Sequence, residues 1–172
     1  MNTLEVEDEI EHLESPEALA SWLLAHDLVP EGTRVTAREL DRVCAAREAL
    51  RSLLFSNNGE PLDPAAIAVL NDVSDRIRLE PRFDVRGHVT VAGEGRGVDG
   101  ALAQLVAVVL GAMADGTWSR LKVCRADTCG WAFYDHSRNR SGQWCVMAEC
   151  GNRNKARTFR ARQKAQANGV EG

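Results

Sequence analysis

The sequence predicts an α+β protein, with a mainly helical N-terminal domain and a small antiparallel β-hairpin, followed by a small treble-clef-like four-cysteine module that ends in a basic helix. Three observations predict this architecture. Apolar residues recur at helical spacing through most of residues 1–117, two short runs near residue 85 alternate around a turn, and four of the five cysteines fall in two pairs near the C-terminus.

Start signals predict three helices in the first half of the chain. Ser15 precedes a proline and an apolar face, Thr36 forms a capping box with Glu39, and Asp63 precedes another proline. The second helix is the longest of the three. Cys44 lies on its apolar stripe, so we interpret this cysteine as a core residue and neither a ligand nor a nucleophile.

A hairpin and a fourth helix complete the N-terminal domain. Valine and phenylalanine alternate on either side of Arg86 and Gly87, which predicts two antiparallel strands. The run from Asp99 to Ala114 is the most apolar of the chain, and we expect it to form the central helix of the core. A G-x-G-x-x-G match at residues 95–100 lies between them, but without a succession of parallel strands it predicts a strand-to-helix loop and no nucleotide site.

The paired cysteines predict a zinc site. Each pair has four intervening residues, and fifteen residues separate the two pairs. Two short loops that each present two sulfurs, joined by a segment long enough to fold back, can complete a tetrahedral shell of thiolates around one structural Zn²⁺. The predicted ligands are Cys124, Cys129, Cys145 and Cys150.

The alternatives are two disulfides or four unrelated buried thiols. Residues Met1 to Glu17 are acidic and not apolar, so we expect no secretory signal and a cytoplasmic protein, where disulfides are rare. No stretch approaches about eighteen uninterrupted apolar residues, so we expect no membrane-spanning helix.

Charge divides the chain into two predicted domains. Residues 1–117 carry ten Lys and Arg against twenty-one Asp and Glu, whereas residues 118–172 carry eleven against four. We therefore expect an acidic α+β domain at 1–117 and a basic zinc module at 118–172. As a hypothesis that the charges do not themselves imply, the first domain senses a small-molecule effector or forms a homodimer.

The predicted C-terminal helix carries a basic stripe formed by Arg153, Arg157, Arg160 and Lys164. At about 100° per residue, these four cations fall within an arc of about 60°. The neighbouring face, with Asn152, Ala156 and Phe159, is expected to pack against the metal module. Within that module, Trp131 to Phe133 and Gln143 to Met147 are expected to pair as strands. The candidate nucleic-acid contacts are Arg153, Lys155, Arg157, Arg160 and Lys164, with Arg138 and Arg140 in the preceding turn.

No catalytic constellation accompanies these features. The four histidines are scattered, no G-x-S-x-G occurs, and the acidic residues lie mostly on predicted helix faces. We expect the protein not to be an enzyme.

The stretch from Cys124 to Arg162 closely resembles the CGNR zinc-finger family, because it contains the tetrapeptide Cys150-Gly151-Asn152-Arg153. In that family the finger follows a mixed helical and strand domain called ABATE, and members are described as stress-induced transcription regulators. Two features differ from the family pattern. Gly142 and Gln143 replace basic residues, and the chain begins Met1-Asn2-Thr3 where members typically begin with a strand that ends near an Asn-Thr pair. The other shared residues are Phe133, Asp135, Ser137, Asn139, Ser141, Trp144, Met147, Lys155 and Arg162.

The resemblance and the basic stripe together predict a transcription regulator that responds to stress. A rigid cationic helix follows phosphates well, so DNA is the expected partner and RNA a further possibility. The competing interpretation is a zinc-stabilised protein-interaction module without nucleic-acid binding.

Overall fold

The computed structural model describes residues 1–168, with side chains described through residue 163. The described chain is α+β, as predicted. Its α-helices are α1 Pro16–Ala25, α2 Ala37–Ser56, α3 Pro64–Ser74, α4 Gly97–Ala114 and α5 Asn152–Asn168. Its strands are β1 Leu4–Glu5, β2 Ile10–Glu11, β3 Arg78–Phe83, β4 Val89–Glu94, β5 Leu121–Val123 and β6 Ala132–Tyr134.

The first three helices begin where their capping residues predict. The Ser15 hydroxyl accepts a hydrogen bond from the Ala18 amide at 3.1 Å, and Asp63 caps α3 in the same manner. At α2 the full capping box forms, because Glu39 also accepts a hydrogen bond from the Thr36 amide at 2.8 Å. These bonds satisfy amides that have no partner within the helix, which fixes each start.

Strands pair only as neighbours along the chain. The described residues form three separate two-stranded antiparallel sheets, β1 with β2, β3 with β4, and β5 with β6. The β3–β4 hairpin is confirmed, with Phe83 opposite Val89 and the turn between them. The β1–β2 hairpin was not predicted, since two residues per strand are too few to show alternation.

Buried hydrogen bonds from α2 hold the β1–β2 hairpin in place. The Arg47 guanidinium donates to the Thr3 hydroxyl at 2.9 Å and to both carboxylate oxygens of Glu11, at 2.7 and 2.6 Å. Arg47 is only 8% exposed, so its charge requires this partner. The N-terminal segment is thereby fixed against the middle of α2.

The glycine motif has a packing role. A Cβ on Gly100 would lie 2.6 Å from the backbone of Gly95, and a Cβ on Gly93 would lie 2.2 Å from the Gln104 amide nitrogen. These glycines allow β4 and the start of α4 to approach each other more closely than any side chain permits. The prediction of a strand-to-helix connection without a Rossmann sheet agrees with the three antiparallel sheets.

This close approach makes a substitution test possible. Gly93→Ala is expected to destabilise the fold by about 2–3 kcal/mol, because the new methyl group would overlap backbone atoms that cannot move aside. Gly111→Ala is the matched control, because its Cβ would meet no atom within 4 Å and it lies inside α4. There we expect a gain of about 0.5–1 kcal/mol. Urea unfolding measures both changes, and equal stability of the two variants would contradict the close approach.

The core lies between α1, α2, α3 and the first half of α4. Val98, Ala101 and Leu102 of α4 are buried there, as the sequence predicts for a central helix. The second half differs from the prediction, because Leu110 is 38% and Met113 44% exposed. Helix α4 is long and apolar enough to cross a membrane, but the core helices of other proteins meet the same criteria of length and composition. The buried core residues include Leu13, Leu19, Leu23, Val43 and Val73. Cys44 is partly buried and packs against this core, as predicted.

Candidate metal centre and basic helix

The four paired cysteines converge on one point. Their sulfur atoms all lie within 4.8 Å of one another, and the Cys129–Cys145 and Cys145–Cys150 sulfur distances are 3.6 and 3.7 Å. A tetrahedral Zn²⁺ with bonds of about 2.3 Å separates its sulfurs by about 3.8 Å, whereas a disulfide requires about 2.05 Å. The donor set and its spacing therefore fit one structural zinc ion, and the disulfide alternative is excluded because all four cysteines are free.

The first pair is positioned by a hairpin that differs from the predicted one. Strand β6 pairs with β5, which precedes the first cysteine, and residues 143–147 form no strand. The Cys124 amide donates to the Trp131 carbonyl at 2.8 Å, which continues the pairing past β5 and closes the loop that carries Cys124 and Cys129. Our prediction of a returning strand from Gln143 to Met147 was wrong, because the Gln143 carbonyl accepts a hydrogen bond from the Arg125 amide and the following residues form a loop that enters a helical turn at Met147.

The second pair lies at the start of α5. Cys145 lies in a loop, while Cys150 lies in a single π-helical turn, Met147–Gly151, that leads directly into the helix. Cys124 and Cys150 are each only 2% exposed, whereas Cys129 and Cys145 are partly buried, so water reaches the sulfur cluster from one side only. A closed shell of four thiolates is typical of a structural site rather than a catalytic one.

The pKa values of the cysteine thiols indicate which ligands must lose a proton when zinc binds. Burial raises the pKa of Cys129 to about 11 in the metal-free chain, so this thiol is protonated at neutral pH. Burial opposes ionisation of Cys150, but hydrogen bonds from Arg153 and from the three other cysteines together outweigh it, and the pKa of Cys150 is lowered. Zinc binding must therefore displace protons, and Arg153 favours the thiolate at one ligand.

Arg153 connects the zinc ligand to the N-terminal domain. Its guanidinium donates to the Cys150 sulfur at 3.4 Å and to the Glu7 carboxylate at 2.9 Å. Glu7 lies in the loop between β1 and β2, and hydrogen bonding from Arg153 lowers its pKa. One arginine of the basic stripe is thus turned toward the acidic domain and the metal centre.

A buried ion pair supports the loop between the cysteine pairs. The Lys122 ammonium lies 2.8 Å from an oxygen of Asp135, and the two residues are only 5% and 3% exposed. The Asp135 carboxylate also accepts hydrogen bonds from the Ser137 amide at 2.9 Å and the Gly142 amide at 2.8 Å. Burial alone would raise the pKa of Asp135, but these donors outweigh it and hold the pKa well below its ordinary value.

The sequence did not indicate this pair. Lys122 stands between Leu121 and Val123, where alternation predicts an outward side chain, and only the family resemblance singled out Asp135. Through the amides of Ser137 and Gly142, Asp135 organises the turn that follows β6.

The finger is docked on the N-terminal domain, a contact that the sequence also did not reveal. The Asn57 side-chain amide donates to the carbonyls of Trp118 and Leu121 at 2.8 and 2.9 Å, and that of Asn58 donates to the Val123 carbonyl at 2.7 Å. These asparagines end α2, so the end of α2 holds β5.

The N-terminal segment holds β6 in a similar way. The Asn2 side chain both donates to and accepts from the backbone of Ala132, at 2.9 and 2.8 Å. Arg51 of α2 donates to the carbonyls of Met1 and Gly130. Backbone groups of the finger are therefore satisfied by side chains of the acidic domain, which fixes its orientation.

The predicted nucleic-acid contacts fall into two groups. Arg153 and Arg157 pair with carboxylates, Arg153 with Glu7 and Arg157 with Asp127 of the first cysteine loop. The second group is exposed and, among the described residues, forms no ion pair: Arg138, Arg140, Lys155, Arg160 and also Arg162. Lys164 belongs to α5, but the position of its side chain is not among those that the structure describes.

The inner face of α5 does not pack as the sequence predicted. Asn152, Ala156 and Phe159 were expected to contact the metal module, but all three are exposed, Phe159 to 61%. The Asn152 side chain instead donates to the Ala148 carbonyl at 3.0 Å and so braces the helix start. Helix α5 extends away from the finger after its first turns, so only its start is anchored.

Two family models account for the chain. The model described as "CGNR zinc finger" matches residues 120–163, and ABATE, described as "Putative stress-induced transcription regulator", matches residues 1–116. No curated protein matches the chain. Together with the sulfur geometry, these matches indicate a regulatory zinc-binding protein. The chain belongs to the ABATE family, and a CGNR zinc finger follows its ABATE domain.

Proposed function

We propose that the protein is a cytoplasmic DNA-binding transcription regulator, with no catalytic role, that presents helix α5 to the duplex. The observation that carries the proposal is the exposed cationic surface of α5, since Lys155, Arg160 and Arg162 form no ion pair among the described residues. The predicted zinc ligand Cys150 lies in the turn that leads into α5, before all three of these residues, so the metal fixes the direction in which the helix starts. A helix in the major groove can present its two flanks to the two phosphate backbones.

Arg153 and Arg157 have a conditional role in this proposal. Their partners Glu7 and Asp127 are 45% and 63% exposed, and exposed ion pairs contribute only about 0–1 kcal/mol. A DNA phosphate could therefore replace either carboxylate at little cost. The turn arginines Arg138 and Arg140 and the more distal Lys164 remain secondary candidates. RNA offers the same phosphates, and duplex DNA and RNA should be compared directly.

The salt dependence of DNA binding tests the proposal. Neutralising Lys155 and Arg160 together, as Lys155→Gln and Arg160→Gln, is expected to reduce the slope of log K against log salt by about 1.8, since each lost phosphate contact contributes about 0.9. Fluorescence anisotropy with a labelled duplex over a salt series measures the slope.

The control removes the same charge from the acidic domain. Arg78→Gln with Arg86→Gln alters two exposed arginines of the β3–β4 hairpin and should leave the slope unchanged. Equal effects of the two double variants would mean that net charge, and not α5, governs binding. If the zinc-loaded protein binds neither duplex DNA nor RNA at low salt, the proposal fails.

A protein-interaction module is the second candidate. The observation that favours it is the hairpin β3–β4, where Phe83 is 74%, Val85 103% and Val89 60% exposed. Exposed apolar clusters mark contacts with other proteins, including a second copy of the same chain. A homodimer formed through this hairpin is compatible with either candidate, and failure of nucleic-acid binding would favour the second.

A further inference from the structure

An apolar cavity lies between the two domains. Its volume is about 390 Å³, and its walls come from the N-terminal segment, α2, the second half of α4 and the β5–β6 part of the finger. Packed protein interiors leave few voids larger than a water molecule. An apolar void of about 150 Å³ already binds benzene, and sites for small molecules range from about 300 to 1,000 Å³. The cavity therefore has the size of a ligand site.

The cavity accounts for half-buried apolar residues of α4. In the second half of this helix, Leu105, Val106 and Val109 face the cavity together with Leu50 of α2 and Phe133 of β6, and Val106 also packs against the core. Apolar side chains that line an empty space gain little free energy from burial until a further apolar group covers them.

The polar groups in the wall define what the cavity can bind. Asn2 uses both ends of its amide on Ala132, and the Thr3 hydroxyl accepts a hydrogen bond from Arg47. The Arg47 charge is itself neutralised by the Glu11 carboxylate. An anionic ligand would therefore find no free cation among these side chains. The α-amino group of Met1 also borders the cavity, but burial and the charge of Arg51 lower its pKa and favour the uncharged amine. A charged group would therefore lose its hydration with little compensation.

We propose that this cavity binds a neutral, mainly hydrocarbon molecule with one or two rings. The walls belong to both domains, so such a ligand contacts α2 and α4 on one side and β6 on the other only while the finger is docked. Binding consequently stabilises the docked arrangement, by the differential affinity that any population shift requires. The binding site is independent of DNA, whereas its role as an effector site rests on the proposed function.

The test uses the full-length, zinc-loaded protein and the neutral fluorophore N-phenyl-1-naphthylamine. We expect saturable binding, competition by naphthalene, and much weaker competition by 1-naphthoate, which adds a negative charge to the same rings. Val106→Phe fills the cavity and should raise the dissociation constant by about tenfold or more, equivalent to about 1.4 kcal/mol. Leu110→Phe adds the same kind of group to α4 outside the cavity and should leave binding unchanged.

Three results would overturn the proposal. The first is no saturable binding by the wild-type protein, including the case in which the chain sediments as a dimer that covers the cavity. The second is undiminished binding by Val106→Phe, with Val109→Phe as a second filling variant if the first loses zinc or helicity. The third is equal competition by naphthalene and 1-naphthoate. Because the readout contains no DNA, failure here is distinguishable from failure of the regulator proposal.

Discussion

Serine in place of Cys150 is expected to abolish zinc binding and to unfold the finger. Cys150 is one of four sulfurs in a closed shell, is 2% exposed, and lies in the turn that leads into α5. The hydroxyl of serine does not ionise at neutral pH and cannot replace a thiolate. The apparent binding energy of structural zinc is about 10–16 kcal/mol in small fingers, and that energy is also folding energy. This is the largest single effect that we expect from any substitution in the chain.

Metal analysis and circular dichroism measure this effect. The wild-type protein, purified under reducing conditions, should contain close to one zinc per chain, and Cys150→Ser should contain almost none and lose helical signal from α5. Cys44→Ala is the matched control, because Cys44 is the one cysteine of the five outside the cluster. Full zinc content in Cys150→Ser, or none in the wild-type protein, would contradict the assigned site.

Local signals explain why most helices and the metal ligands were predictable. A helix start depends on residues three positions apart, as in Thr36 and Glu39, and the sequence displays that relation directly. The same holds for the cysteines, since their spacing within each pair fixes which sulfurs can reach one ion. Both predictions required no knowledge of how distant segments meet.

The features that escaped prediction depend on distant residues. The sequence predicts that a helix ends at Asn57 and Asn58. Nothing in the neighbouring sequence indicates that their side-chain amides bind the backbone of β5, which is more than sixty residues away. Strand β5 itself has three residues, too few for a periodic pattern. The apolar length of α4 was recognised, but an apolar pattern does not distinguish a helix packed in the core from one that lines a cavity.

The opposite net charges of the two domains explain only part of the contact between them. Opposite net charges predict attraction, but the docked interface is held mainly by hydrogen bonds from side-chain amides and from Arg51 to backbone carbonyls. The ion pairs described between the two domains, Glu7 with Arg153 and Glu60 with Arg125, are both partly exposed. Specific hydrogen bonds therefore set the orientation of the finger, while net charge adds a weak, salt-sensitive attraction.

Removing the Lys122 ammonium is expected to cause the second-largest loss. Lys122→Met retains the length and apolar stem of the side chain but leaves the Asp135 carboxylate buried without its cation, and such a change costs about 3–5 kcal/mol. Replacing both partners with Lys122→Met and Asp135→Leu should cost less than the two single losses together, because no unpaired charge remains. Urea unfolding at pH 7 measures all three variants.

The matched control is an exposed pair of the same charge type. Arg76 and Asp72 are 52% and 56% exposed, so Arg76→Met should cost no more than about 0.5–1 kcal/mol. The pH dependence provides an independent check through Asp135→Asn. Because the pKa of Asp135 is lowered by folding, its carboxylate stabilises the native state above the unfolded pKa of about 3.9 and loses this effect as the pH falls below that value. The stability difference between wild type and Asp135→Asn should therefore be constant near neutrality and shrink below about pH 4. A difference that grows as the pH falls would show that Asp135 does not act through its charge.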